Sequence, residues 1–368
     1  MNAVRNSFAF DRAYFFLGFS VVATTLMLWS APANAELIFI NDQTVESHVA
    51  QLRDEIISRD SQGYLAPSVQ ERADFRNLAD GLWNASSTSD LNMLVPLAET
   101  LDYDLFSLSD SGSTYFGLQE SNTGADRKGW GSFLIRQGNA RNALVQVPHP
   151  LGDINTPSIS AQTFVESEAK GFLIAGAHRN ANGQGTADVA HLTASVFQEV
   201  HQSFVENADD LSVWQIHGFN LDLHPEFPAG IDAVISSGTG SVTEFVLELD
   251  QNIDALAGDW TSYAYNTLDV NDPLNIATNE TLAGTVFSSL AGTTNIQQQH
   301  TTSLGGQFVH IELEQSFRID GGDFSRQLIS QTIADTIFSS VSAVPEPSGL
   351  VLIVLAGGCF VVGRRRVL

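Results

Sequence analysis

The sequence predicts an α/β protein in which a mostly parallel or mixed central sheet is flanked by helices. Short apolar runs bounded by turn residues begin after residue 103, and from residue 172 such runs alternate with segments of helical periodicity. Hydrophobic residues make up 43% of the 368 residues and include 23 Phe, which is enough to bury a core. Alternating strands and helices favour parallel pairing, because a parallel connection needs a crossover segment.

The first part of the mature chain is expected to be helical. Val45, Val49 and Leu52 recur at helical spacing, Ser68 and Glu71 form a candidate capping box for a second helix, and a third helix is expected near Ser89. No linker rich in Pro or Gly follows, so we expect one domain over residues 36–338, with 36–102 as a helical elaboration.

The remaining elements follow in order along the chain. Strands are predicted at 103–108, 114–118, 132–135, 143–147, 172–175, 212–216, 231–236, 260–265 and 308–313, with the first few antiparallel. Helices are predicted at 188–205, 242–256 and 324–337.

Residues 1–35 are typical of a secretory signal peptide. Arg5 and Arg12 precede an apolar run over 15–29, and Ala33-Asn34-Ala35 supplies the small-x-small pattern of a cleavage site. The alternative is an uncleaved membrane anchor, for which the apolar run is short.

The C-terminus carries a second targeting pattern. A linker over 339–348 contains Pro345-Glu346-Pro347, and the segment 349–368 joins an apolar run to three arginines at 364–366. This order resembles the PEP-CTERM sorting tail of bacterial exosortase substrates. The resemblance implies export, transient inner-membrane anchoring with the arginines inside, and then release to the cell surface or an extracellular matrix. A permanent C-terminal anchor is the alternative.

Charge and cysteine usage exclude several classes of function. The chain carries a net charge of −25, and residues 36–344 carry 12 Lys and Arg against 40 Asp and Glu, a net of −28. Nucleic-acid binding needs clustered basic residues, so it is excluded. The single cysteine, Cys359, lies in the sorting tail, so the body has neither a thiol nucleophile nor a thiolate zinc site.

Polar residues follow several predicted strands, at the end where open α/β sheets bind ligands. His149 and Asp153 follow the strand at 143–147, and His217 follows the strand at 212–216. Two imidazoles and one carboxylate match the three protein ligands of a catalytic zinc site, although imidazole and carboxylate also suit other divalent metals. We therefore predict a metal at these three residues.

A proton carrier is expected on the last strand. Period-two alternation places Val309, Ile311 and Leu313 on one face and His310, Glu312 and Glu314 on the other. Such a polar face lies either on the surface or in a site, and the histidines elsewhere favour a site with Glu312 as the general base.

Three segments resemble the N-formylglutamate amidohydrolases, relatives of the zinc carboxypeptidases. Residues 309–318 resemble their late Glu-bearing strand, 147–149 their early histidine loop, and 214–218 their later histidine strand. The resemblance implies a zinc carboxypeptidase-like fold, Zn²⁺ bound by His149, Asp153 and His217, and Glu312 as the base. The chain departs from the pattern at Asp153, since the carboxypeptidases use His-x-x-Glu. It also has Glu314 and Gln315 where Asn and Arg are expected, so formylglutamate itself is not implied.

Arg179 is the first candidate for binding a substrate carboxylate, because guanidinium pairs with carboxylate in a bidentate way and basic residues are scarce here. Arg318 is the second candidate for binding the substrate carboxylate. The alternative role for Arg179 is a salt bridge with a carboxylate of the protein. His191, in the first turn of the helix predicted at 188–205, is a further candidate that could reach the site. Asp188 is either a helix cap or a functional group.

The sequence thus predicts an exported metal-dependent hydrolase that cleaves an amide-type bond in a small acidic or peptide-like substrate. A non-catalytic matrix or surface protein that retains the fold, associated with exopolysaccharide, is the main alternative. A second is metal-independent glycoside hydrolysis by Glu312 and Asp153, which leaves the histidines without a role. Wide separation of His149, His217 and Glu312 would favour the matrix protein.

Overall fold

A computed structural model describes residues 36–225, 227, 229–258, 260–265 and 290–342. The predicted signal peptide, most of the linker and the sorting tail lie outside these residues. Within the described ranges, no helix has the length and apolar character needed to cross a membrane.

A ten-stranded mixed sheet forms the centre of the described chain, so the predicted α/β class is confirmed. Its strands are β1 (Ile38–Ile40), β2 (Tyr103–Asp110), β3 (Ser113–Glu120), β4 (Ser132–Arg136), β5 (Arg141–Val147), β6 (Ala169–Ile174), β7 (Ser212–Gly218), β8 (Ala233–Ser236), β9 (Ser262–Ala264) and β10 (Gln307–Leu313). Their order is β1-β2-β3-β4-β6-β5-β7-β10-β8-β9.

The central strands β6, β5, β7 and β10 run parallel to one another. The β2-β3-β4 meander is antiparallel, as expected for the first strands, and β4 joins β6 in the antiparallel direction. Strand β8 is antiparallel to β10. The four parallel strands therefore direct their carboxyl ends to one edge of the sheet, where a ligand site is expected.

Eight helices are described in addition to short turns. They are α1 (Val45–Asp54), α2 (Val69–Asn84), α3 (Thr88–Thr100), α4 (Thr156–Glu166), α5 (Val196–Glu206), α6 (Glu244–Asp254), α7 (Ile296–Ser303) and α8 (Gly322–Ser340). Ser68 and Glu71 form the predicted capping box of α2. The elements β1, α4 and α7 were not predicted from the sequence.

Two apolar cores cover the two faces of the sheet. One joins α2, α3 and α5 to side chains such as Phe133 and Val213, and the other joins α1, α4, α6 and α8 to side chains such as Trp214 and Ile311. The N-terminal helices thus pack on the sheet itself, with α1 against α4 and α2 against α5. Covering both faces explains why the central strands are almost continuously buried.

The helix predicted at 188–205 begins later than expected. Ser195 is its N-cap and accepts a hydrogen bond from the backbone N–H of Gln198, so α5 starts at Val196. Residues 187–194 form turns instead. His191 therefore lies in a loop, and its predicted place in a first helical turn is wrong.

Candidate metal centre

Three predicted ligands meet at the carboxyl ends of β5 and β7. His149 and Asp153 lie in the loop after β5. His217 is the second-last residue of β7. The Nδ1 atoms of the two histidines are 3.2 Å apart, and Asp153 Oδ2 is 3.4 Å from His149 Nδ1 and 3.5 Å from His217 Nδ1. All three side chains are buried. The three polar atoms thus form a nearly equilateral triangle.

The donor set and its spacing fit a metal ion. Atoms placed tetrahedrally about 2.0–2.1 Å from an ion lie about 3.3 Å from one another, close to the three distances of the triangle. A second possible group, made of His217, His310 and Glu312, adjoins it and shares His217. The Nδ1 atom of His310 is buried without a hydrogen-bond partner among the described residues. The site therefore contains a buried polar atom that the hydrogen bonds of the described residues do not satisfy.

The second nitrogen of His149 contacts a carboxylate that the sequence did not single out as a partner. His149 Nε2 lies 2.8 Å from Asp188 Oδ1. Burial alone would lower the pKa of His149, but its hydrogen bonds to Asp153 and Asp188 raise that pKa to about 9. The same hydrogen bonds overcome burial in the carboxylates and hold the pKa of Asp153 and that of Asp188 well below their usual range. A carboxylate behind a histidine is a common second partner of metal-binding imidazoles.

His217 has an uncharged partner behind it. Its Nε2 atom lies 2.7 Å from Oε1 of Gln215, two residues earlier on the same strand. Burial lowers the pKa of His217 to about 4, so the ring is neutral at physiological pH and carries a single N–H. Both histidines therefore have Nδ1 facing the triangle and Nε2 held by an acceptor.

Glu312 is brought beside the triangle by strand pairing. In the parallel register of β7 and β10, Glu312 is the partner of His217, and His310 is the partner of Gln215. Burial, reinforced by the charge of Asp153, raises the pKa of Glu312 to about 8. The alternative of an exposed polar face is thus wrong for His310 and Glu312, both of which are buried.

Glu314 does not share that face. Strand β10 ends at Leu313, and the Glu314 carboxylate accepts hydrogen bonds from the backbone N–H groups of Leu221 and Ser316. Its predicted position beside His310 and Glu312 is therefore wrong, because the strand ends at Leu313 and its alternation of faces does not continue to Glu314.

The triangle and Glu312 open into a cleft of about 660 Å³. Arg179 lines this cleft, is exposed, and has no ion-pair partner within the described ranges of the chain. Among the described residues that line the cleft, two are carboxylates, Asp153 and Glu312, and two are arginines, Arg179 and Arg318. In a chain of net charge −25, equal numbers of arginines and carboxylates in this described lining are a local departure from the overall acidity.

Arg318 also lines the cleft, but its guanidinium is already engaged. It donates to the backbone carbonyls of Leu313, Ile154 and Phe219 at 2.7–2.9 Å. These contacts tie together the loops after β5, β7 and β10. Its substrate-binding role stays a prediction, while its structural role is visible.

The sequence did not indicate Gln215 or Asn295 as site residues. It placed His310 on the polar face of the last strand without a role, and it left Asp188 as either a cap or a functional group. Of these residues, His310 was the easiest to predict from the sequence, because it lies two residues before Glu312 and so on the same face of the strand. Asp188 lies 39 residues from His149 in the chain, and only the fold brings the two together.

Comparisons with known proteins give distant structural matches. No family model and no curated protein matches the chain. A solved bacteriophage poly-γ-glutamate hydrolase is 10% identical, with a TM-score of 0.28, and the match covers 55% of this chain and 84% of that one. A proposed metallopeptidase from Shewanella denitrificans is 10% identical, with a TM-score of 0.30, over 64% and 82% of the two chains. Another from Shewanella amazonensis is 9% identical, with a TM-score of 0.29, over 69% and 92%.

Proposed function

We propose that this chain is a zinc-dependent hydrolase of an amide-type bond in an acyl-amino acid or peptide. The observation that carries the proposal is the triangle of His149, Asp153 and His217 with Glu312 in register beside it. When bound, a zinc ion supplies a Lewis acid that acidifies water and polarises a carbonyl. The three ligands are those expected of a catalytic site with an open position.

In this proposal Glu312 is the group that moves protons. It takes a proton from the attacking water and delivers that proton to the nitrogen of the leaving amine, so it ends the cycle unchanged. Its raised pKa describes the metal-free protein, in which burial favours the protonated carboxyl. A divalent cation at the neighbouring triangle favours the carboxylate form, which is the form that can accept a proton.

Arg179 supplies the positive group that orients the substrate. Its exposed guanidinium, in a cleft whose described lining holds two carboxylates, suits a carboxylate of the substrate in a bidentate pair. The substrate is then small, acidic or peptide-like, with the scissile amide next to the triangle.

Metal content and hydrolysis test this proposal together. The purified body, loaded with Zn²⁺, is expected to bind one ion and to cleave acyl-amino-acid or peptide amides in a chelator-sensitive way. Glu312→Gln is expected to keep the ion and to lose about 10²–10⁴-fold in kcat. Glu314→Gln is the matched control, since Glu314 lies outside the cleft. His217→Ala is expected to lose the ion, and unchanged metal content in that variant would overturn the ligand assignment.

Export belongs to the same proposal. The signal peptide at 1–35 and the sorting tail at 349–368 would deliver the body to the cell surface or to an exopolysaccharide matrix through the exosortase machinery. Mass spectrometry of the mature protein from an exosortase-bearing host tests this. The expected termini lie near residue 36 and near the Pro-Glu-Pro motif, and an intact tail would support the permanent anchor instead.

The close approach of His149, His217 and Glu312 favours an enzyme over a non-catalytic matrix protein. The ligand atoms of His217 and Glu312 lie within 4.8 Å of each other, and His149 and His217 are closer still. Burying so many polar groups costs stability unless each is hydrogen-bonded or paired, and the buried Nδ1 of His310 has no partner among the described residues, which supports a site that takes a ligand.

A further inference from the structure

His217 connects the triangle to a buried cluster of side-chain amides. Gln215 and Gln146 are cross-strand neighbours on β7 and β5, on the same face as His217. Helix α7 contributes Gln297, and its N-cap residue Asn295 completes the cluster. All four amides are almost completely shielded from solvent.

The orientation of the Gln215 amide determines which nitrogen of His217 carries hydrogen. Gln215 Oε1 accepts from His217 Nε2 and from Asn295 Nδ2. Gln215 Nε2 donates to Gln146 Oε1 at 2.9 Å and to Gln297 Oε1 at 3.4 Å. If this amide were rotated by 180°, His217 Nε2 would have to accept, and the ring hydrogen would move to Nδ1, inside the triangle.

Two backbone groups fix that orientation. The backbone N–H of Gln298 donates to Asn295 Oδ1 at 3.1 Å, so the Nδ2 group of Asn295 must face Gln215. The backbone carbonyl of Val189 accepts from Gln297 Nε2 at 2.9 Å, so Gln297 Oε1 is left to face Gln215. A side-chain amide can rotate, but a backbone N–H only donates and a backbone carbonyl only accepts.

We propose that Gln215 and Asn295 are positioning residues that hold His217 as the tautomer with hydrogen on Nε2. The lone pair of His217 Nδ1 then points at His149 and Asp153, which is the form that binds a metal. The inference rests on the metal site of the proposed function and adds the residues that prepare one ligand for it.

The surroundings of Nδ1 agree with this tautomer. His149 Nδ1 lies 3.2 Å from His217 Nδ1, so only one of these two nitrogens carries hydrogen toward the other. With hydrogen on Nε2 of His217, its Nδ1 is left as an acceptor for His149, whose own Nδ1 faces this lone pair and the Asp153 carboxylate at 3.4 Å.

Three variants of this cluster separate positioning from simple packing. Gln215→Leu removes the acceptor behind His217, Gln215→Glu keeps an acceptor there, and Asn295→Asp keeps the helix cap but loses the donor to Gln215. Gln198→Leu is the matched control. It removes another buried amide, which accepts from Gln297 but contacts neither Gln215 nor His217 among the described residues.

Long-range ¹H–¹⁵N spectra of the metal-free protein report the tautomer directly, and competition with a chelator reports Zn²⁺ affinity. We expect His217 in the wild type, Gln215→Glu and Gln198→Leu to carry hydrogen on Nε2. In Gln215→Leu and Asn295→Asp we expect hydrogen on Nδ1, where Asp153 accepts it, with about 10–100-fold weaker Zn²⁺ binding.

Hydrogen on Nδ1 in the wild type, or on Nε2 in both Gln215→Leu and Asn295→Asp, would overturn the inference. Because the tautomer is measured without metal, this outcome is distinct from failure of the proposed function, which is absence of Zn²⁺ binding by the wild type. The tautomer measurement and the Zn²⁺-binding measurement can therefore refute the two proposals independently.

Discussion

Removing the ionisable group at Glu312 should stabilise the metal-free protein increasingly as pH rises. Burial, with the charge of Asp153 as a second cause, raises the pKa of Glu312 from 4.5 to about 8 in the folded state. Between these values the folded state holds a proton that the unfolded state has released, so the free energy of unfolding falls as pH increases. The full loss is about 5 kcal/mol, at about 1.4 kcal/mol for each pKa unit.

Glu312→Gln imitates the protonated acid and escapes this loss. We expect the variant to be about 1 kcal/mol more stable than the wild type near pH 5, and about 4–5 kcal/mol more stable near pH 8.5. Urea denaturation in the presence of a chelator, followed by tryptophan fluorescence, measures both free energies. Glu314→Gln removes a carboxylate two residues along the chain and serves as the control.

A constant stability difference between Glu312→Gln and the wild type across this pH range would refute the reasoning. It would mean that the pKa of Glu312 is the same in the folded and unfolded states, as for a solvated carboxylate, in conflict with its exposure of 8%. A difference that narrows with pH would reverse the sign and point to a lowered pKa.

Three further outcomes follow from the site. Zn²⁺ binding near pH 7 should release at least one proton, from His149, because its pKa is about 9; calorimetry in buffers of different ionisation enthalpy measures this, and zero release would contradict the pairing. Asp188→Asn should weaken Zn²⁺ binding about 10–100-fold in chelator competition by removing the carboxylate behind His149; wild-type affinity would exclude that role. Arg179→Ala should lower kcat/KM about tenfold or more for a substrate with a free carboxylate and much less for its amide analogue; equal losses would argue against carboxylate binding.

Local patterns predicted the elements of the central sheet well. The strand periodicity around Val309 and Ile311 correctly separated the face that packs into the core from the face that carries His310 and Glu312. Capping chemistry was equally informative at Ser68, but Ser195 was overlooked, and the helix was therefore started too early. Such features are encoded within a few residues and need no knowledge of the fold.

The geometry of the site depends on pairings that the sequence does not contain. Glu312 stands beside His217 because β10 inserts next to β7 in one particular register, although 95 residues separate the two in the chain. Asn295, the N-cap of α7, reaches Gln215 across 80 residues because α7 packs against α5 and β10.

By itself, the sequence determined the class of fold, the strands that end in histidine and carboxylate, and the ligand types available for a metal. These follow from periodicity and side-chain chemistry, which are local. Only the tertiary structure decided that His149, Asp153 and His217 meet within 3.5 Å, and that Asp188 and Gln215 stand behind the two imidazoles. Strand order and register set these contacts, and they are fixed by packing over the whole sheet rather than by any one segment.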